Sequence, residues 1–291
     1  MTPPRPLVVR KARTAALVAR YTAQNRCSRD AVTAPDGPTV SLTTHGARLR
    51  SVHLAIESIA VGRLRPGRLV LWLDEETRRT TLPPALTRLE RRGLELRSCP
   101  DWGPHKKYFG LALEPDGQLL VTADDDWFFP HDWLATLVIA AERHPTDTLA
   151  HRVRRIAVTQ GDIAPYDEWT AVAEGGADRR HVPGGGWGLA LTPDVLAVLA
   201  DEGDAFAARA PRADDLWLHR AVLRAGRAVR PVSALPWERF VHVPEPAGSR
   251  PLRLENVDGG GNDRQLRSVY EPELLASLVA ADEPPTTLTP H

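Results

Sequence analysis

The chain has 291 residues, 42% hydrophobic and 25% charged, which suits a folded protein of one large α/β domain or two small ones. Its 37 basic residues balance 37 acidic ones, so no net field argues for nucleic acid or an anionic membrane as partner. Cys27 and Cys99 make neither a disulfide framework nor a zinc site, and no apolar run approaches the ~20 residues that span a bilayer, so a cytoplasmic protein is expected.

The N-terminus is basic and lacks a continuous apolar core, so it makes a poor signal peptide. Residues 7–24 fit a basic amphipathic helix, suited either to packing on the domain or to peripheral contact with the inner face of a membrane. The break Ala34-Pro-Asp-Gly-Pro38 closes this N-terminal helical extension, 1–37. A first strand is expected at Thr39–Thr43, ending in a polar loop from Thr44 to Arg48. A helix over 51–61 follows, then a buried strand from Arg68 to Leu73 that ends at Asp74. Leu82 to Arg92 suit a helix, Leu94 to Arg97 a third strand, and Tyr108 to Leu113 a helical segment behind Lys106 and Lys107.

The next strand, Leu119 to Val121, delivers three consecutive carboxylates, Asp124, Asp125 and Asp126, with apolar residues on both sides. On an extended backbone Asp124 and Asp126 project together and Asp125 oppositely. Two such carboxylates repel unless a cation lies between them, and a hard divalent ion, Mg2+ or Mn2+, suits an oxygen site completed by phosphates. A solvated acidic turn is the plainer alternative. Strands alternating with helices imply a mostly parallel sheet with helices on both faces, and ligands gather at the carboxyl ends of such strands. Thr43, Thr44, Asp74 and the acidic triplet all fall there.

The second half is less regular. A helix is expected over Trp133 to Arg143, a strand or irregular segment over Leu149 to Ile156, and loops from Gly161 to Arg180. Gly184, Gly185 and Gly186, followed by Trp187, allow close approach of backbone to a ligand or a simple turn. Thr192 caps a helix over Pro193 to Ala200, and Asp214 and Asp215 open another, where carboxylates also serve as caps. A short helix and a disordered tail are expected over 269–291.

Taken in order, these pieces resemble a GT-A-type nucleotide-sugar glycosyltransferase of the bacterial polysaccharide sort. The resemblance is carried by Val40 to Arg48, Leu69 to Asp74, Lys106-Lys107, Thr122 to Pro130 as a DxD segment, Pro183 to Gly188, Asp214 to Trp217 and Asn256 to Leu266. It covers 38–268 and implies a Rossmann-type sheet with a less regular acceptor-side half. It further implies a nucleoside-diphosphate-sugar donor and a carbohydrate, lipid-linked or other hydroxyl acceptor. By that resemblance Asp124 and Asp126 hold a divalent metal, with Asp125 a metal ligand or ribose contact. Thr43, Thr44, Arg48, Asp74, Lys106 and Lys107 meet the nucleotide or its diphosphate. Gly184 to Gly186 and Trp187 approach donor sugar or acceptor, and Trp217 shares with Trp187 the choice between stacking on a sugar and burial. Asp215, ahead of Asp214, is the base expected to deprotonate the acceptor in inverting relatives. His242 and Asp263 are the candidates for a further metal ligand. Ala213, where many relatives have an acid or glycine, leaves the base assignment open. The rivals are a nucleotidyltransferase acting on a sugar phosphate, and a non-catalytic nucleotide- or carbohydrate-binding protein on the same fold.

Overall fold

The computed structural model describes residues 7–114, 117–232, 235–248 and 260–280. The chain opens with α1 (Leu7–Cys27), β1 (Thr39–Thr43), α2 (Val52–Ala60), β2 (Arg68–Asp74), α3 (Glu75–Arg79), α4 (Pro84–Glu90) and β3 (Leu94–Cys99). Next come α5 (Lys106–Ala112), β4 (Leu120–Ala123), β5 (Trp127–Phe128) and α6 (Trp133–Arg143). The short strands β6 (Thr148–Ala150), β7 (Val153–Arg155), β8 (Val158–Thr159), β9 (Asp162–Ile163), β10 (Thr170–Val172), β11 (His181–Pro183) and β12 (Leu189–Leu191) occupy the middle. Then follow α7 (Pro193–Asp201), α8 (Phe206–Arg209), α9 (Asp214–Arg224), β13 (Val229–Pro231), β14 (Val241–His242), α10 (Gly261–Val269) and α11 (Pro272–Ala280).

Seven strands form the main sheet in the order β13-β6-β12-β4-β1-β2-β3. Parallel pairing joins β4, β1, β2 and β3, whereas β12 runs antiparallel between β4 and β6. Parallel strands are covered on both faces, which is why Leu69 to Leu73 is a continuous apolar run. Alternation along each strand sorts that run into two cores. Leu69, Leu71, Leu73, Val121 and Ala123 pack with α2, α4 and α6. Val70, Trp72, Leu120, Leu189 and Leu191 pack with α5, α7 and α9 on the other face. The α/β architecture with a mostly parallel sheet and a less regular second half is therefore the one expected.

The C-terminal half of α1 is fastened to this body by a buried polar knot. Asn25 Nδ2 donates to Glu57 Oε1 (3.0 Å) and to the Ala85 carbonyl (3.2 Å). Arg92 grips the same carboxylate with two N–H donors at 2.5 and 3.1 Å. Glu57 is wholly buried, and such a charge is tolerated only when its lone pairs are filled. Among the described residues no helix is long and apolar enough to cross a membrane.

Several local expectations differ. Leu149 to Ile156 divides into β6 and β7, and α5 begins at Lys106, so both lysines lie in its first turn. Thr192 precedes α7 in extended conformation, but its side chain makes no capping bond to the helix. An additional helix, α10, carries Asn262 to Leu266. Residues 256–259 of the expected closing motif and the tail 281–291 lie outside the described residues.

Candidate active site

β4 stops at Ala123, so the three aspartates occupy a turn between β4 and β5 and strand alternation does not govern them. The expectation that Asp125 projects oppositely to Asp126 is thereby corrected, while Asp124 remains the charge that acts most strongly on Asp126. Asp125 and Asp126 are the pair drawn together, by one guanidinium: Arg48 Nη1 lies 2.9 Å from Asp125 Oδ1 and 3.0 Å from Asp126 Oδ2. Thr44 Oγ1 donates to the other Asp125 oxygen at 2.5 Å. Asp124 turns toward α5, where Lys107 Nζ donates to its Oδ1 at 2.7 Å.

Lys107 also lies 2.8 Å from Asp214 Oδ2. It bridges the triplet to the first turn of α9, and its side chain is only 3% exposed. Burial works against its charge, but Asp124, Asp214 and Asp215 outweigh that and hold it protonated. It is thus an internal counter-ion between two carboxylates at the cavity wall. Lys106 lies 2.8 Å from Asp101 Oδ1 and 3.6 Å from Asp74 Oδ2. Asp74 is the N-cap of α3, accepting from Thr77 N–H (2.7 Å) and Thr77 Oγ1 (2.8 Å), and it does not line the site cavity.

That cavity, about 420 Å³, is lined by Thr43, Thr44, Arg48, Lys106, Lys107, Asp124 and Asp125 on the sheet side. Phe206, Arg212 and Asp214 face them. His105 forms its back: Nε2 lies 2.7 Å from the Ala210 carbonyl, Nδ1 is bonded to the Tyr108 hydroxyl, and the ring stacks on Phe206. Burial lowers its pKa to about 4, so the ring is neutral at pH 7 despite nearby Asp214. With the ring neutral only one nitrogen carries a proton, so Nε2–H donates to the Ala210 carbonyl and Nδ1 accepts from the Tyr108 hydroxyl.

The electrostatics of the triplet are unbalanced. Burial, then the charges of Asp124 and Asp125, push Asp126 up to about 7, against Arg48 and Lys107. Burial raises Asp125 too. Asp126 Oδ1 is buried and has no hydrogen-bond partner among the described residues. By contrast Asp214 is lowered: burial opposes its ionisation, but Lys107 and His105 outweigh it. Asp215 is half-exposed beside it, and its charge, after burial, helps raise the Tyr166 hydroxyl to about 12.

The glycine loop arrives because β12 runs antiparallel beside β4, with Leu189 opposite Thr122. Gly184 N–H bonds the Arg152 carbonyl at 2.8 Å, and Gly185 to Trp187 form one tight turn. Asp124 N–H donates to the Gly186 carbonyl at 3.0 Å. A Cβ on Gly186 would collide with the Asp124 carboxylate, so glycine is required there for packing. Trp187 faces away from the acid cavity, stacked on Phe240 at 4.6 Å, and Trp217 is core. Neither offers a ring face to a sugar in the cavity.

Neither candidate for a further metal ligand joins the carboxylates. Asp263 Oδ1 accepts the Tyr166 N–H at 2.8 Å, and His242 stacks on Trp127 at 3.6 Å between ring centroids. Among the described residues no group of three or more His, Cys, Asp or Glu side chains could hold a metal. The residues that the sequence did not single out are Glu245, bonded to Arg48 Nη2 at 3.1 Å, His105 and Tyr166. No local motif marks them; only the fold brings them in.

No family model matches the chain, and no curated protein matches it. Solved structures do match at low identity. CMP:2-keto-3-deoxy-manno-octonic acid synthetase complexed with CTP is 13% identical with a TM-score of 0.40, over 67% of this chain and 88% of that one. The inositol-1-phosphate CTP transferase from T. maritima is 10% identical with a TM-score of 0.43, over 81% and 97%. The mannosyltransferase PcManGT from Pyrobaculum calidifontis, in complex with GDP-Man and Mn2+, is 16% identical with a TM-score of 0.45, over 96% and 87%.

Proposed function

We propose that the chain is a metal-dependent glycosyltransferase that moves a sugar from a nucleoside-diphosphate sugar to a hydroxyl acceptor. The observation that carries this reading is the crowded acid cluster at the carboxyl end of the parallel strands, where Asp124, Asp125 and Asp126 share Arg48 and Lys107 and Asp126 is still raised to about 7. Such crowding is what a cation relieves. The donor set fits magnesium or manganese held by one or two carboxylates, Asp126 and Asp124, with substrate phosphates and water filling the rest of the shell. When bound, the ion supplies charge neutralisation for a departing diphosphate.

The chain's own side chains have separate tasks. Arg48 and Thr44 hold Asp125 still, and Lys107 fixes Asp124 against Asp214. Thr43, Thr44 and Lys106 line the cavity wall where a nucleotide would lie. Asp215, partly exposed beside the Lys107-paired Asp214, is assigned as the base for the acceptor hydroxyl.

Incubation with a panel of nucleotide sugars and Mn2+ tests the reaction class. Release of nucleoside diphosphate is the expected result; release of pyrophosphate from a nucleoside triphosphate and a sugar phosphate would make the chain a nucleotidyltransferase instead. Asp215→Asn should lower turnover by about 10²–10⁴-fold and leave Mn2+-dependent nucleotide binding unchanged. Unaltered turnover would remove Asp215 from the mechanism.

A further inference from the structure

A second hollow, about 1130 Å³, lies between the N-terminal half of α1 and the segment from Trp237 to Glu245. Its α1 side mixes Leu7, Ala15, Val18 and Ala19 with Arg10, Lys11, Arg13 and Thr14, and its far wall is formed by Trp127, Trp187, Trp237 and Phe240. Twelve residues of helix at about 1.5 Å each make this a trough about 18 Å long from Leu7 to Ala19. Arg13 ties the helix across it, with Nη1 to the Glu238 carbonyl (2.8 Å) and Nη2 to the Arg239 carbonyl (3.2 Å). At the start of α1, Leu7, Val8 and Val9 are 63%, 77% and 47% exposed, apolar surface left in water at one end.

The trough adjoins the acid site across a single ion pair. Trp127 follows Asp126 in the chain, and Trp187 follows Gly186, which touches Asp124. Arg48 lines the acid cavity, Glu245 lines the trough, and the 3.1 Å ion pair between them is the partition. The aromatic faces are not set out for a saccharide. Trp127 lies against His242 and Trp187, and Trp187 against Phe240, so the rings pack one another and present an apolar wall. Such a wall matches hydrocarbon better than a ring of hydroxyls, with the basic residues of α1 along its other side.

We propose that this trough seats the hydrocarbon tail of an amphiphilic acceptor, whose hydroxyl-bearing head reaches the acid cluster past the Arg48–Glu245 pair. The inference rests on the glycosyltransferase reading above and names the acceptor class for it. The probes are maltose, octyl maltoside and dodecyl maltoside, each below its micelle concentration, with tryptophan fluorescence of the full chain as readout. Dodecyl maltoside should bind about tenfold or more tighter than octyl maltoside, and maltose should not bind, because buried methylenes carry the affinity. Ala15→Trp, at an exposed helix position, fills the trough and should weaken dodecyl maltoside by about tenfold or more. Val18→Asp is the second variant, with the same expected loss. In both variants the thermal shift given by nucleoside diphosphate with Mn2+ should be unchanged. No dodecyl maltoside binding, or binding untouched by both variants, overturns the inference while an intact nucleotide shift leaves the transferase reading standing. Tail binding without any nucleotide response overturns the acceptor role and the transferase reading together.

Discussion

At the scale of single residues the site depends on two contacts of opposite kind. One is the Lys107 bridge, in which a buried ammonium holds Asp124 and Asp214 on different elements at 2.7 and 2.8 Å. The other is the bare α-carbon of Gly186, which leaves room for the Asp124 carboxylate. Gly186 sits in a tight turn and not at positive φ, so alanine is acceptable to the backbone but not to its neighbour. On the reading proposed above, Gly186→Ala should therefore displace Asp124 from Lys107, lowering the melting temperature and transfer by about 10²-fold. Equal activity in the variant would show that Asp124 position is not critical. The triplet itself was legible in the sequence as an acidic site at a strand end. Which acids pair was not, because Arg48, 77 residues away from Asp125, decides it.

At the scale of elements, the long helices and the central strands were readable because burial imprints a period on them. Leu69 to Leu73 and Val52 to Ala60 are examples, and both lie close to their expected bounds. Three-residue strands such as β12 carry too few positions for a period, and the additional helix α10 is rich in polar residues. The docking of α1 was illegible for another reason: it turns on Asn25, Glu57 and Arg92, three polar residues that look solvated until the fold buries them. Arg92→Ala would strand the Glu57 carboxylate and should destabilise the protein by about 3–5 kcal/mol. Glu57→Gln in the same background should recover part of that loss, since it removes the buried charge. Urea titration followed by tryptophan fluorescence checks both, and an Arg92→Ala midpoint equal to that of the parent would refute the assignment.

At the scale of the whole molecule, buried histidines set the acid response. Burial holds His105, His151 and His219 at about 4 each, against an ordinary 6.5. Below pH 6.5 the unfolded chain takes up protons that the native state refuses until about pH 4. Their stabilisation is therefore complete above about pH 6.5 and is lost as pH falls toward 4, by up to about 3 kcal/mol per histidine. Asp126 acts in the opposite sense: raised from 3.8 to about 7, it keeps a proton in the native state across that window, so its contribution is lost as pH rises. Urea midpoints measured without added metal should fall from pH 7.5 to pH 4.5, and fall more steeply in Asp126→Asn. A flat or rising midpoint in the parent would contradict the three histidine assignments.

The antiparallel insertion of β12 between β4 and β6 has a consequence for biosynthesis. A nascent chain that has emerged through β4 already carries Asp124 to Asp126 beside the threonines of β1 and the lysines of α5. Gly186 and Asp214, which complete the pocket, are 62 and 90 residues further along. Sheet pairing between segments so far apart forms late. A chain cut before β12 therefore presents the acidic triplet without Gly186 against Asp124 and without Asp214 beside Lys107.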